Sequence, residues 1–137
     1  MKNFKHVAIA LSLLIGLLFF KPGGAAAQND VLGSVKSAIK IGSSRDLSRH
    51  FDSKVSISFA DGSSTDYSST QAEFVMKNFF SKTGPTDFTY TFDGSSDKGK
   101  RYAIGSYSSR SGSYTVLVRL KESNGRYMIH SMDFIED

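Results

Sequence analysis

The chain has 137 residues, room for one ordinary domain, and carries 17 basic against 13 acidic side chains. The excess lies at one end: setting aside Lys2, Lys5 and Lys21 leaves 14 basic groups against 13 acidic ones. That balance is too even for the concentrated basic surface a nucleic-acid partner needs. The absence of cysteine excludes a disulfide scaffold, a thiolate metal site, a cysteine nucleophile and a lipidated N-terminal cysteine.

Residues 1–27 have the three parts of a secretory signal peptide. Lys2 and Lys5 form the positive start, and Val7 to Phe20 forms an apolar stretch broken only by Ser12 and Gly16. Ala25-Ala26-Ala27 places small residues where signal peptidase reads, so cleavage is expected before Gln28. A spanning helix needs about 20 apolar residues. The stretch is shorter, and Pro22-Gly23-Gly24 ends it, so no stable membrane span is expected after cleavage. The sequence therefore predicts an exported protein, periplasmic or extracellular, with residues 28–137 as a single domain.

Helical spacing of Val31, Val35, Ala38 and Ile39 predicts a first helix from about Asp30 to Ile41, capped by Asn29 or Asp30 and ended by Gly42. A short second helix is expected over Ser44 to Phe51, with Ser43 as its N-cap and Leu47 and Phe51 on one face. Val55, Ile57 and Phe59 alternate with serines, which predicts a half-buried strand. Asp61-Gly62 turns it back into a short strand near Ser64 to Tyr67. Thr70-x-x-Glu73 reads as the capping box of a third helix, with Ala72, Val75, Met76, Phe79 and Phe80 as its apolar stripe and Gly84-Pro85 as its stop.

Four strands in a meander follow. They hold Phe88, Tyr90 and Phe92; then, after a turn from Asp93 to Lys100, Tyr102, Ile104 and Ser106; then Tyr114, Val116, Val118 and Leu120; then Arg126 to Ile135 behind the Asn124-Gly125 turn. In the last strand Tyr127 and Ile129 share one parity, and Met132 and Phe134 share the other. A bulge at His130-Ser131 would bring all four to one face.

The order is helix, helix, hairpin, helix, four antiparallel strands: an α+β chain with about six strands in one strongly curved sheet. The run Ala38-Ile39-x-x-Gly42, then Leu47, Phe51 and the strand from Val55, resembles the opening of the nuclear transport factor-like superfamily, the cone-shaped fold also called cystatin-like. The whole chain resembles a family of small exported bacterial proteins classed as a domain of unknown function. The shared pieces are Gln71-Ala72-Glu73 with Phe79-Phe80, Gly94-Ser95-Ser96, Tyr102-Ala103-Ile104-Gly105 and Asn124-Gly125-x-Tyr127-x-Ile129. The resemblance implies a fold and an export route, and it carries over no catalytic residue.

No nucleophile elbow, phosphate loop, dinucleotide fingerprint or zinc-protease motif occurs. Ser37 to Lys40, Ser95 to Lys98 and Lys82-Thr83-Gly84 imitate penicillin-recognising enzymes, but the chain is far too short for that fold. His50 and His130 alone, without cysteine, make no zinc site, so neither metal nor cofactor is expected. Asp93-Gly94-Ser95-Ser96-Asp97 lacks the ligand alternation of a calcium loop and reads as an acidic turn. The weak catalytic candidates are His130, Asp133 and Asp66, none of them in an apolar run that would raise a carboxylate's pKa.

Aromatic residues are the feature that signals a pocket. Phe79, Phe80, Tyr90, Phe92, Tyr102, Tyr114 and Tyr127 are expected to point into the cone. Of these, Phe80, Tyr90, Tyr102, Tyr114 and Tyr127 are the candidate ligand-binding residues. The expected function is a non-enzymatic binding or interaction module for a small apolar ligand, a peptide or an envelope protein. The alternatives are a cofactor-free isomerase or dehydratase using a cone carboxylate or histidine, and a structural subunit of an envelope assembly. A sheet face bearing Leu117 and Met128 among polar residues also suits a homodimer.

Overall fold

The computed structural model describes residues 31–59, 63–96 and 98–137. The expected export signal with its cleavage before Gln28, the caps at Asn29 and Asp30, the Asp61-Gly62 turn and Asp97 lie outside the described residues. The chain divides into two compact units, Met1–Leu32 and Gly33–Asp137. The second unit holds every element below except the first two residues of helix α1.

Helix α1 covers residues 31–41 and buries Val35, Ala38 and Ile39. It ends where Gly42 takes a left-handed φ of +73°. There the Gly42 N–H donates to Ile39 O and the Ser43 N–H to Ala38 O, the paired bonds that close a helix C-terminus. A side chain at 42 would also meet Pro85, so the position needs glycine for space as well as for backbone. Helix α2 (Ser44–Ser48) follows, with Ser43 capping the Asp46 N–H.

Strand β1 (Phe51–Ser58) starts earlier than the sequence predicts and takes Phe51 out of the helix. Phe51 pairs in parallel with Ile129, whose N–H donates to His50 O, and this strand pairing outweighs the extra helical turn. Its burial is as expected: Leu47 and Phe51 are both core residues.

Strand β2 (Ser64–Ser68) runs directly into helix α3 (Ser69–Thr83). The capping box falls two residues before the predicted one, on Ser68 and Gln71. The expected partner Glu73 instead accepts from the Ser48 hydroxyl at 2.9 Å and ties α3 to α2. Gly84, left-handed, ends α3 by donating to Phe80 O.

The meander is formed by β3 (Pro85–Ser96), β4 (Lys100–Ser109), β5 (Gly112–Ser123) and β6 (Arg126–Glu136). The six strands lie in the order β2-β1-β6-β5-β4-β3, antiparallel except for the β1–β6 pair. The fold is α+β, as the sequence predicts. The segment Asp93 to Ser96, expected as a turn, is strand paired with Ala103 to Lys100.

One sheet face packs on the helices and carries Val55, Ile57, Phe88, Ala103, Tyr107, Val116, Val118, Met132 and Phe134. The bulge predicted in β6 is present: Leu120 pairs with Ile129 and Arg119 with Ser131, so His130 is the extra residue. Ile129, Met132 and Phe134 are thereby all buried. A second bulge, at Thr91 in β3, separates the Tyr90–Gly105 pair from the Phe92–Ile104 pair. It turns Phe92 away from the core.

Candidate functional site

A groove of about 670 Å³ lies between the C-terminal half of α3 and the ends of β1 and β5. Phe59, Val75, Phe79 and Tyr114 form its apolar wall, and Asn78, Ser81, Lys82 and Thr83 its polar rim. Helical spacing explains this: Val75, Phe79 and Lys82 recur along one side of α3 at steps of four and three.

Phe79 is the hub of the aromatic set. Its ring centroid lies 4.7 Å from Phe134, 5.0 Å from Phe59, 5.4 Å from Tyr114 and 5.7 Å from Tyr107. Such tilted and edge-on pairs add about 0.5–1.5 kcal/mol each beyond area burial. The floor is therefore rigid, while Phe79 itself stays half-buried and open to a ligand.

Beneath it, Tyr107 is fully buried and its hydroxyl lies 2.7 Å from Thr83 Oγ1. Thr83 Oγ1 also donates to Phe79 O, so Tyr107 supplies the proton in the hydroxyl pair. Burial pushes the Tyr107 pKa up and keeps the phenol neutral.

The five tyrosines and phenylalanines expected to line one pocket fall in three places. Tyr114 lines the groove, and Phe80 lies buried beside it, 6.1 Å from Phe79 and 6.3 Å from Tyr107. Tyr90 and Tyr127 belong to the far end of the helix-packed face. There the Arg101 guanidinium lies 5.4 Å from the Tyr127 ring centroid, and Tyr90 stands edge-on to Phe88. Burial raises the Tyr90 pKa well above the usual phenol range against the opposing charge of Arg101.

Tyr102 and Phe92 are on the opposite, open face, stacked on each other at 5.7 Å. Both depart from the sequence expectation for a physical reason: the Thr91 bulge turns Phe92, and β4 buries Ala103 and Tyr107 rather than Tyr102. Gly105, between those two, leaves room for the Phe88 ring; a Cβ there would lie 2.4 Å from Phe88 Cζ. Sequence reading missed Phe59, Tyr107 and Thr83. The glycine at 105 was the available signal, because a strand glycine marks a close approach.

The weak catalytic candidates are remote from the groove. Asp66 is exposed on β2. Asp133 accepts from the Ser58 hydroxyl and pairs with Arg119 at 3.4 Å. His130 occupies the β6 bulge. Among the groove's described lining residues there is no carboxylate or imidazole, and the charged group is Lys82. Among the described residues, no three His, Asp or Glu side chains come together as metal ligands would.

Residues 32–135 match the family described as a domain of unknown function, DUF4783. A DUF4783 family protein from Bacteroides ovatus is 30% identical, with a TM-score of 0.73 over 76% of this chain and 93% of that one. An NTF2-like protein of unknown function from Shewanella baltica, 15% identical, gives a TM-score of 0.63 over 84% of this chain and 94% of that one. A domain of unknown function with a cystatin-like fold from Nostoc punctiforme, 10% identical, gives 0.65 over 82% and 76%. No curated protein matches.

Proposed function

This chain belongs to the DUF4783 family on an NTF2-like, cystatin-like fold, and from that premise we propose that it is an exported, non-enzymatic binding module whose α3 groove holds a small apolar molecule. The observation that carries the reading is the half-open apolar wall of Phe59, Val75, Phe79 and Tyr114 around about 670 Å³. That volume suits a small organic ligand, and the wall buries apolar surface on binding. The rim of Asn78, Ser81, Lys82 and Thr83 offers polar contacts at one end and fixes orientation. His130, Asp133 and Asp66 are not among the groove's described lining residues, whose titratable groups are Lys82 and Tyr114. The apolar stretch Val7 to Phe20 with its basic start supports delivery across the inner membrane.

The test uses the neutral dye N-phenyl-1-naphthylamine, with dodecanoate as competitor. Dye fluorescence is expected to rise on addition of the protein and to fall as dodecanoate displaces it. Val75 is half-buried on the wall, and Val75→Trp would fill the groove without opening the core. Binding is expected to drop about tenfold or more in that variant, as for loss of a central contact. A dye signal that is absent, or equal in both proteins, overturns the reading.

A further inference from the structure

The open face of the sheet carries a second aromatic site unrelated to the groove. Phe92 and Tyr102 are 52% and 39% exposed, and their rings stack at 5.7 Å and 26°. Neither is an accident of a loose loop. The Thr91 bulge aims Phe92 outward, and Tyr102 lies flat on the backbone at Gly94, where any Cβ would stand 2.8 Å from its ring. The pair is thus a preformed stacked platform on the open face.

A groove of about 450 Å³ adjoins it, floored by Ile104 and Leu117. Among the described residues the charged groups on this face of the groove are cationic or imidazole, Lys100, Arg119 and His130, whereas the Arg101 guanidinium turns to the other face over Tyr127. Lys121 adds to the same field, since Arg119, Lys100 and Lys121 all act on His130, with the Asp52 carboxylate opposing them. Asp133 accepts from Ser58 and pairs with Arg119 at 3.4 Å, which offsets part of the Arg119 charge and leaves Lys100 and Lys121 as the rest of the strip.

We infer that this open face of β3–β6 is a docking surface for an acidic segment of another protein, one that sets apolar side chains on Phe92, Tyr102, Ile104 and Leu117 and carboxylates against Lys100, Arg119 and Lys121. The aliphatic floor favours a polypeptide over a single-stranded nucleic acid, whose bases stack on aromatic surface. A second copy of the chain is disfavoured because its own strip would bring cations against cations.

The test is NMR titration of the protein with a synthetic peptide of glutamates interleaved with leucine and phenylalanine. Its counterpart with glutamine for every glutamate is the control. The acidic peptide is expected to shift the amides of Tyr102, Leu117, Arg119 and His130, and to bind more weakly as salt rises. Arg119→Gln with Lys121→Gln, and separately Tyr102→Ser, are expected to weaken it about tenfold each, with Tyr102→Ser lowering the melting temperature no more than Phe92→Ala, which loses the same stack. Four results would overturn the inference: equal binding of the two peptides, shifts confined to other surfaces, preference for heparin oligosaccharide or phosphatidylglycerol vesicles, or self-association that Tyr102→Ser abolishes.

Discussion

The Phe79–Tyr107 cluster and the Phe92–Tyr102 pair are built from the same residue types, with similar ring spacings, on opposite faces of one sheet. On the helix-packed face the phenol of Tyr107 is buried and must be tied to Thr83, because an unpaired hydroxyl there would cost about 1–3 kcal/mol. On the open face the Tyr102 ring rests on a glycine and meets water, between Phe92, an aliphatic floor of Ile104 and Leu117, and cationic side chains. The first set holds the fold together. The second contributes little to it, so its exposure has to be explained by what it meets.

That contrast makes paired substitutions informative. The largest gap is expected between Phe134→Ala and Phe92→Ala. Phe134 is 1% exposed and touches the rings of Phe59, Phe79 and Tyr107, so its loss should cost about 3–5 kcal/mol. Phe92→Ala gives up chiefly its stacking on Tyr102, about 0.5–1.5 kcal/mol. Urea denaturation of both variants checks this, and equal losses would erase the distinction between the two faces.

A smaller gap is expected between two strand glycines. Alanine at Gly105 would press into the buried Phe88 ring and close on Thr89 O at 3.1 Å, an overpacking of about 1–3 kcal/mol. Alanine at Gly94 meets only the exposed Tyr102 ring, which can swing into solvent. The reduced freedom of the unfolded chain returns about 0.4–1 kcal/mol, so Gly94→Ala should be near neutral. Thermal melts separate the two, and a Gly94→Ala loss as large as that of Gly105→Ala would mean that the open-face platform is structural after all.

Much of this was legible in the sequence, and the remainder failed for identifiable reasons. The parity change between Ile129 and Met132 exposed the β6 bulge, because four large apolar residues could share a face in no other way. The β3 bulge left no such mark. Phe88, Tyr90 and Phe92 alternate perfectly, and only the pairing with β4 shows that Thr91 breaks the alternation. In β4 both parities carry large side chains, and Tyr102 with Ile104 outweighs Ala103 with Gly105 until Phe88 is seen filling the space above the glycine. Ser68-Ser69-Thr70-Gln71-Ala72-Glu73 offers two capping frames, and the choice depends on where β2 ends and on Ser48, which reaches Glu73 from another helix. The groove was half legible: Phe79, Phe80 and Tyr114 were in view, whereas Phe59 and Tyr107 join them only through the β1–β6 and β4–β5 pairings.

The smallest expected effect is a pH dependence that belongs to the open face alone. Burial, and then the charges of Arg119, Lys100 and Lys121, hold the His130 imidazole below its ordinary pKa of 6.5, with Asp52 opposing. The unfolded chain therefore takes up a proton that the folded chain resists. The contribution of His130 is fully present above the unfolded value and declines as pH falls from there toward the folded one. Urea titrations between about pH 7.5 and about pH 5 should show a steeper fall for the protein than for His130→Gln. The difference will be slight, because solvent screens much of the interaction at a half-exposed ring. It should also shrink when an acidic segment is bound, since carboxylates set against Arg119 and Lys121 cancel the charges that depress the imidazole. Parallel curves for the two proteins would mean that burial and the three cations together leave the imidazole no harder to protonate than in the unfolded chain.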